Sequence, residues 1–262
     1  MFQFIANFLA EKRLQSMPRF CAPLALDLNV PDRVLVFAPH PDDDILGCGG
    51  TLSKLAKTAS LCVVLVTDGS GAGELPFGTD KVRQAEFVSA LALLGITQVK
   101  FLNQPDGFFQ SNERLRSLVI DILLSFEPDW IFFPARFDYH RDHILISEFI
   151  FDTVSAVSNK STLIEYETSA PIQATHIVDI TDVFSLKAKA LEQHKTALAY
   201  GDYLRAITGL NTYRGLYLGV DKFAEAFRVC STRNYSIVLR TKFFYWQLRY
   251  WYQNWLKNSR LL

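Results

Sequence analysis

From residue 32 onward, the chain alternates between two patterns of hydrophobic and polar residues. Short apolar runs such as Arg33-Val-Leu-Val-Phe-Ala38 are typical of strands buried on both faces of a sheet. Between them lie longer stretches with apolar residues at helical spacing. The predicted strands are 33–38, 61–67, 98–102, 129–133, 162–167 and 175–180, and the predicted helices are 44–58, 80–94, 111–126 and 142–158.

Strands that alternate with helices in this way predict βαβ units. Right-handed crossovers then give an α/β fold with a Rossmann-like, mostly parallel sheet and helices on both of its faces. We expect one domain over residues 32–230, with helical terminal extensions at residues 1–31 and 231–262.

Polar clusters follow four of the predicted strands. In such folds the ligand crevice lies beyond the carboxyl ends of the strands, so these clusters are expected to meet at one edge of the sheet. They occupy residues 39–44, 67–74, 103–107 and 134–143. The sequence therefore predicts a functional site at this edge.

The composition is that of a globular protein. Of 262 residues, 49% are hydrophobic and 13% aromatic, which excludes long disorder and allows a sizeable core. Twenty-seven basic residues balance 27 acidic ones, so net charge does not indicate nucleic acid as a partner. The four cysteines contain no C-x-x-C pair, which argues against a zinc ribbon and favours reduced thiols in a cytoplasmic protein. No apolar run reaches the ~18–20 residues that span a bilayer.

The balanced charge combines an acidic body with a basic tail. Residues 226–262 carry seven Lys or Arg and no Asp or Glu. Projected as a helix, residues 240–258 place most of their aromatic side chains and both leucines on one face, and all four basic side chains with three aromatic ones on the other. This pattern predicts peripheral contact with the inner face of a membrane; packing on the acidic body or on a second subunit is the alternative.

The first chemistry-bearing cluster is Pro39-His40-Pro41-Asp42-Asp43-Asp44, between a predicted strand and a predicted helix. The two prolines restrict the backbone around His40. Three adjacent carboxylates repel one another unless a cation or a helix N-terminus offsets their charge. The cluster therefore favours a divalent metal site over an Asp-rich helix cap.

The second cluster is Tyr139-His140-Arg141-Asp142-His143, after the fourth large strand. His and Asp from one loop with His from another would give three nitrogen and oxygen ligands. Such a set leaves one coordination position for water, as in a catalytic zinc site. An Asp close to the metal but not bound to it could take a proton from that water.

A glycine-rich segment offers a competing interpretation. Gly47-Cys-Gly49-Gly50 suggests dinucleotide binding, but the G-x-G-x-x-G pattern would need Gly where Leu52 stands. The triple Asp before it would also repel a pyrophosphate. A nicotinamide oxidoreductase is therefore disfavoured.

Ala38-Pro-His-Pro-Asp-Asp-Asp-Ile-Leu-Gly-Cys-Gly-Gly50 resembles the signature of the LmbE/PIG-L-type N-acetylglucosaminyl deacetylases, and His140-x-x-His143 resembles their second motif. The resemblance covers about residues 33–229. The weaker motifs that continue it in order are Thr67-Asp-Gly69, Arg83-x-x-Glu86, Leu94-Gly95, Pro105-Asp-Gly107, Lys187-x-x-Ala190-x-x-x-His194, Arg214-Gly215 and Ala224-Glu-Ala-Phe227.

The resemblance implies a Rossmann-like zinc hydrolase that removes acetyl from an N-acetylated sugar or glycoconjugate; iron(II) can occupy such a site too. It implies the following roles: His40, Asp43 and His143 as metal ligands, Asp42 as general base on zinc-bound water, His140 as stabiliser of the oxyanion or proton donor to the amine, Asp142 as the residue that orients His140, and Arg83, Asp106 and His194 as substrate contacts. For His194, a purely structural place in a helix stays open.

Two departures from the family pattern stand out. Asp44 occupies a position where the family usually has Glu, and Lys195-Thr196 follow His194 where relatives often have Ser-Gln. Neither touches a proposed ligand or the base. The alternative function is a non-catalytic carbohydrate-binding or scaffolding member of the same fold, and either could form a homo-oligomer.

Overall fold

The structure is a computed structural model that describes residues 22–71, 78–157 and 160–230. Within these ranges the strands are β1 (Leu24–Ala25), β2 (Arg33–Ala38), β3 (Ser60–Thr67), β4 (Gln98–Gln104), β5 (Trp130–Pro134), β6 (Thr162–Tyr166), β7 (His176–Asp179) and β8 (Ala224–Cys230). The helices are α1 (Asp43–Leu55), α2 (Thr79–Leu93), α3 (Glu113–Phe126), α4 (Arg141–Val157), α5 (Phe184–Leu191), α6 (Lys195–Leu198) and α7 (Tyr203–Gly215).

These strands form one sheet in the order β1-β7-β8-β6-β5-β2-β3-β4. β8 runs antiparallel to both β6 and β7, and the other neighbouring pairs are parallel. The predicted α/β class with a Rossmann-like, mostly parallel sheet is confirmed.

Helices cover both faces of the sheet. Along β2, Val34 and Val36 face a hydrophobic cluster that includes α1, α2, α5 and α7. Leu35 and Phe37 face a second cluster, formed with α3 and α4. A strand apolar at every position is therefore buried on both sides, as its sequence predicts.

The predicted extensions lie largely outside the described residues, including the amphipathic stretch 240–258. The described end of the N-terminal extension contains a strand that the sequence pattern does not predict. Leu24 of β1 pairs with His176 of β7, in parallel, at the edge of the sheet.

The glycines of α1 allow close packing. A Cβ atom at Gly47 would lie 2.7 Å from the carbonyl oxygen of Glu167, and one at Gly50 would lie 2.8 Å from Cγ2 of Ile180. Real Cβ atoms do not approach this closely, so a side chain at either position would push the helix away. Helix packing accounts for these glycines without any nucleotide.

Candidate active site

The site lies where the sheet changes its direction of winding. β2 pairs with β3 on one side and with β5 on the other. The loops after β2 and β5 therefore diverge around a crevice, which is where ligands bind in open α/β sheets. These loops carry the two histidine clusters that the sequence singles out.

The loop after β2 ends in a strained residue. Asp42 precedes the first residue of α1 and has φ of 127°, a value that L-residues rarely adopt. The backbone N–H of His40 donates to Oδ2 of Asp43 at 2.9 Å, which ties the loop to the start of the helix. Strain of this kind persists only where the surroundings enforce it, and it is concentrated at functional sites.

Three side-chain atoms from the two loops meet in a nearly equilateral triangle. Nδ1 of His40 lies 3.1 Å from Oδ2 of Asp43 and 3.1 Å from Nε2 of His143. The third edge, from Nε2 of His143 to Oδ2 of Asp43, is also 3.1 Å. The structure thus brings together the three residues that the sequence suggests as metal ligands.

This triangle fits a metal ion. In a tetrahedral zinc site with bonds of about 2.0–2.1 Å, neighbouring ligand atoms lie roughly 3.3–3.4 Å apart. Two ring nitrogens, His40 Nδ1 and His143 Nε2, face each other beside one carboxylate. Two imidazoles and a carboxylate are nitrogen and oxygen donors suited to zinc or iron(II), so this His/Asp group can hold a divalent metal.

Each of the two histidines has a carboxylate at its far nitrogen. Nε2 of His40 lies 3.1 Å from Oδ1 of Asp106 and 3.5 Å from Oδ2 of Asp142. Nδ1 of His143 lies 3.3 Å from Oδ2 of Asp138 and 3.0 Å from Oγ1 of Thr168. Such carboxylates fix the tautomer and the orientation of metal-ligating histidines.

Asp138 is a site residue that the sequence reasoning missed. It is buried, and its Oδ1 accepts a hydrogen bond from the backbone N–H of His140 at 2.8 Å. Its position two residues before a histidine pair is a signal that could have found it. Its carboxylate therefore supports both histidines of the second cluster.

His140 is exposed, and its ring centroid lies 4.6 Å from that of His40 and 4.7 Å from that of His143. The donor atoms of these three histidines lie within 4.8 Å of one another, so His140 is geometrically able to join a metal site. Burial, followed by the neighbouring His40 and His143, lowers the pKa of His140, which favours its neutral form.

Asp142 differs from its predicted role. Its Oδ2 accepts a hydrogen bond from the backbone N–H of Gly107 at 2.7 Å, and this oxygen faces His40. The link to His140 is made instead by the backbone, since the N–H of Asp142 donates to Nδ1 at 3.3 Å. In the neutral ring this bond places the proton of His140 on Nε2.

Of the three predicted substrate contacts, two line the cavity beside the triangle. Nη1 of Arg83 donates to the carbonyl oxygen of Gly69 at 2.7 Å and lies 3.5 Å from Oδ2 of Asp106. His194 is buried and lies outside the lining of this cavity. Burial, with the charge of Arg83, lowers the pKa of His194 to about 3.

The cavity has a volume of about 220 Å³. It brings seven of the predicted site residues together with Gly71, from the polar cluster 67–74, and with three residues that the sequence reasoning did not assign to a site. Its lining is His40, Asp42, Asp43, Leu46, Gly71, Arg83, Asp106, His140, His143, Ser169 and Tyr203.

The pKa values of Asp42 and Asp43 are shifted in opposite directions. Burial, and then the negative charge of Asp43, raise the pKa of Asp42 to about 7. Burial opposes ionisation of Asp43 too, but His143 and His40 outweigh it and hold the pKa of Asp43 well below its usual range. The carboxyl of Asp43 is therefore ionised near neutral pH, while that of Asp42 can exchange a proton there.

Asp44 is fully buried, and neither of its carboxylate oxygens has a hydrogen-bond partner within the part of the chain that the structure describes. Burial raises the pKa of Asp44 to about 8, and the negative charges of Asp42 and Asp43 add to that rise. The shortened acid at this departure from the family pattern is thus buried without a side-chain partner among the described residues.

Comparison with known proteins finds a family match over part of the chain. The family model described as PIG-L: GlcNAc-PI de-N-acetylase matches residues 35–154. The resemblance predicted from the motifs is confirmed, since this part of the chain is similar to the LmbE/PIG-L family.

Individual relatives agree with this placement. The diacetylchitobiose deacetylase of Thermococcus kodakarensis is 28% identical over 223 residues, which is 75% of this chain and 82% of the relative. The structure of N,N'-diacetylchitobiose deacetylase from Pyrococcus horikoshii aligns with a TM-score of 0.71 at 23% identity, covering 90% of this chain and 95% of that one.

The fold alone does not define the reaction. The 4-carboxy-2-hydroxymuconate hydratase of Pseudomonas putida KT2440 aligns with a TM-score of 0.67 at 18% identity, over 76% of this chain and 95% of that one. The residues of the site must therefore carry the functional argument. A separate finding concerns membranes: across the described ranges, no helix is both long and apolar enough to cross a bilayer.

Proposed function

We propose that the chain is a metal-dependent N-deacetylase that hydrolyses the acetamide of an N-acetylated sugar or sugar conjugate to acetate and a free amine. That it is an enzyme of the deacetylase class follows from its similarity to this family and from relatives named as deacetylases. The observation that carries the finer proposal is the 3.1 Å triangle of His40, Asp43 and His143 beside a cavity that also contains Asp42.

The proposed metal is zinc, with iron(II) as the alternative, held by His40, Asp43 and His143. When bound, such an ion lowers the pKa of a coordinated water towards ~7 and polarises a carbonyl oxygen. Asp106 and Asp142 would hold the ring of His40, and Asp138 that of His143.

Asp42 is proposed as the general base. It lines the cavity next to Asp43 and is held at the start of α1 by a backbone conformation that limits its movement. Burial and the charge of Asp43 raise the pKa of Asp42, whereas the positive charge of a bound metal would favour the ionised form that a base requires. Asp42 would accept a proton from the attacking water and make that proton available to the departing amine.

His140 is proposed to stabilise the negative charge that develops on the acetyl oxygen. With Nδ1 accepting from the backbone N–H of Asp142, the neutral ring presents Nε2–H as a donor. A donor already in place contributes most where charge forms in the transition state. Protonation of the leaving amine by His140 would require the charged ring, which its lowered pKa disfavours.

Arg83 and Asp106 are proposed to contact the hydroxyl groups of the sugar at the charged end of the cavity. Arg83 also joins two loops there, because it donates to the carbonyl oxygens of Gly69 and, at 3.4 Å, Pro41. For His194, burial outside the cavity lining favours the structural role that the sequence left open.

For the rest of the chain we propose one domain over residues 32–230 with an extension at each end. We also propose that residues 240–258 contact a membrane and that the protein assembles into a homo-oligomer. A cytoplasmic location, at the inner face of the membrane if the tail binds there, belongs with these proposals.

The test is acetate release across a panel of N-acetylated sugars and conjugates, together with metal analysis of the purified protein. We expect about one divalent metal per chain and acetate release that chelation abolishes and zinc restores. A protein that binds metal and sugar without releasing acetate would instead be the non-catalytic carbohydrate-binding member of the fold. Tightly bound nicotinamide nucleotide would revive the oxidoreductase alternative.

The same assay separates the two possible roles of His140. The proposal expects His140→Ala to retain metal and to lose turnover. If His140→Ala loses its metal as His143→Ala does, His140 is a ligand and the oxyanion role is wrong.

A further inference from the structure

A second depression adjoins the active-site cavity. It is a groove of about 400 Å³ that begins at Leu46, Ser169 and Tyr203, three residues that also line the cavity. From there it runs along α7 past Ala206 and Leu210. The two spaces therefore adjoin each other, and Tyr203 belongs to the lining of both.

The groove and the cavity have different chemistry. The cavity is lined by charged side chains, among them Asp42, Arg83 and Asp106. The groove is lined by aliphatic side chains together with the hydroxyl groups of Thr168 and Ser169, and no described residue of its lining carries a charge. A ligand that occupies both spaces would have a polar part and an uncharged part.

We propose that this groove binds an uncharged, apolar aglycone attached to the N-acetylated sugar. The inference rests on the proposed function, because it takes the sugar to be bound in the cavity. It adds a substrate class: glycosides of N-acetylated amino sugars whose first group beyond the sugar is hydrocarbon.

Size supports this assignment. Sites that enclose a drug-sized ligand measure about 300–1,000 Å³, so a cavity of about 220 Å³ accommodates a small unit such as one sugar ring. Any larger substituent must leave the cavity, and the groove adjoins it at Tyr203. If the sugar hydroxyls bind at Arg83 and Asp106, as proposed, the rest of the substrate can extend past Tyr203 into the groove.

Charge supports it as well. A phosphate or carboxylate placed in the groove would lose water and meet no cation from the described lining, which is unfavourable. Hydrocarbon gains affinity there, by about fourfold for each methylene fully removed from water. Uncharged and apolar groups are therefore the ones that the groove selects.

The experiment compares glycosides of N-acetylglucosamine that differ only in the aglycone: methyl, butyl, hexyl and 3-carboxypropyl. Binding is measured by calorimetry and turnover by acetate release, both on the full-length, metal-loaded protein. We expect the hexyl glycoside to exceed the methyl glycoside at least tenfold in affinity and in kcat/KM. The 3-carboxypropyl glycoside should lose the advantage that the butyl glycoside shows.

Two variants on α7 locate the effect. Ala206→Trp fills the groove at an exposed position, and Thr208→Trp places the same ring at an exposed position of the same helix outside the groove. We expect Ala206→Trp to remove the preference for the hexyl over the methyl glycoside, whereas Thr208→Trp keeps this preference and leaves turnover of the methyl glycoside within twofold of the parent. If Ala206→Trp does not fold, Leu210→Asn, which makes the groove polar, should reduce the same preference.

The outcomes separate the two proposals. Equal binding of hexyl and methyl glycosides, or a preference that survives in Ala206→Trp, would overturn the groove assignment. Stronger binding of N,N'-diacetylchitobiose than of the hexyl glycoside would also overturn it, because the second sugar is uncharged but hydroxylated. A hexyl preference in binding with no acetate release from any glycoside would leave the groove assignment standing and refute the proposed reaction.

Discussion

Two buried groups of charged side chains contact α1 or form its first turn. They differ in how many of their polar atoms have a hydrogen-bond or ion-pair partner. The first, here called the lysine cluster, consists of Lys187, Asn211 and Glu225. Nζ of Lys187 donates to the carbonyl oxygen of Leu46 at 2.9 Å, to Asn211 Oδ1 at 3.0 Å and to Glu225 Oε1 at 2.7 Å. All three of its protons are used.

Glu225, which lies on β8, completes the lysine cluster. Its two oxygens accept hydrogen bonds from the backbone N–H groups of Gly50 at 2.8 Å and Thr51 at 2.7 Å, within α1. A buried charge is tolerated when it is paired and hydrogen-bonded in this way. The lysine cluster therefore needs no ligand.

The second group, here called the histidine cluster, consists of His40, Asp42, Asp43, Asp44 and His143. It contains two ring nitrogens that face each other at 3.1 Å, a residue with φ of 127° and a buried carboxyl without a partner among the described residues. The contrast shows that buried charge alone does not mark a functional site. What distinguishes the histidine cluster is a pair of facing ring nitrogens and a buried carboxyl that no other side chain among the described residues pairs.

The largest expected effect comes from removing a proposed ligand. His40→Ala or His143→Ala should lose both bound metal and acetate release, because two donors cannot hold the ion as three do. The measurement is metal content per chain together with acetate release. His176→Ala, which changes a histidine in β7 remote from the cluster, is the matched control and should retain both. Full metal occupancy in both ligand variants would refute the ligand assignment.

Asp42→Asn should lower kcat by about 10²–10⁴-fold, which is the range of general-base contributions. Asparagine has nearly the same shape and tolerates positive φ, so the loop and the metal should be retained. Metal content and the circular dichroism spectrum verify this before kcat is measured. A metal-replete Asp42→Asn protein with near-normal kcat would exclude Asp42 as the base.

Substitutions in the lysine cluster should lower the free energy of unfolding and leave metal binding by the folded protein unchanged. Lys187→Met leaves Glu225 charged and unpaired in the interior, which costs about 3–5 kcal/mol of unfolding free energy. Urea denaturation measures this loss, and Lys187→Met with Glu225→Gln should recover much of it. The folded fraction should still bind metal. If Lys187→Met loses metal without losing stability, the lysine cluster takes part in metal binding, and the proposed separation of the two clusters is wrong.

Asp138→Asn tests a support within the histidine cluster. An amide holds the ring of His143 less well than a carboxylate, so we expect a 10–100-fold loss in metal affinity or activity, as is typical of such partners. Titration with a competing chelator measures the affinity. Asp129→Asn changes a carboxylate that bonds only backbone groups of β2 and its flank, and it should leave metal affinity unchanged.

The last expected effect concerns the dependence of stability on pH. His194 has a pKa of about 3 when folded and about 6.5 when unfolded, so the unfolded chain binds more protons between these values. Its contribution to stability is complete above pH 6.5 and decreases as the pH falls towards 3. His194→Phe should flatten the acid side of the stability profile by up to about 1.4 kcal/mol per pH unit. An unchanged slope in urea titrations from pH 6.5 to 4 would contradict this.

The sequence predicts those parts of the fold that depend on local pattern. The strands β2 to β6 follow from apolar runs, and β2 and β5 place the two histidine clusters at one edge because parallel strands share their carboxyl ends. The antiparallel insertion of β8 between β6 and β7 could not be predicted in this way. It depends on pairings between distant segments, such as Ile164 with Val229, which no local pattern encodes.

The same limit applies within the site. His40, Asp43 and His143 are recognisable from their motifs. Tyr203 lines the cavity because α7 packs near α1, a contact that the spacing of residues does not reveal. The carboxylate of Asp142 bonds Gly107 rather than His140, because the turn after β4 brings a backbone N–H within reach.

The bonds that the lysine cluster makes to α1 also have a consequence for the order of events during synthesis. Lys187 lies 141 residues after Leu46, and Glu225 lies 175 residues after Gly50. A ribosome that has produced residues 35–154, the part that matches the family, has produced every proposed metal ligand and neither of these anchors. The hydrogen bonds that link α1 to Lys187 and Glu225 can thus form only after these residues emerge, so we expect the nascent chain to acquire its metal late, after β8 has joined the sheet.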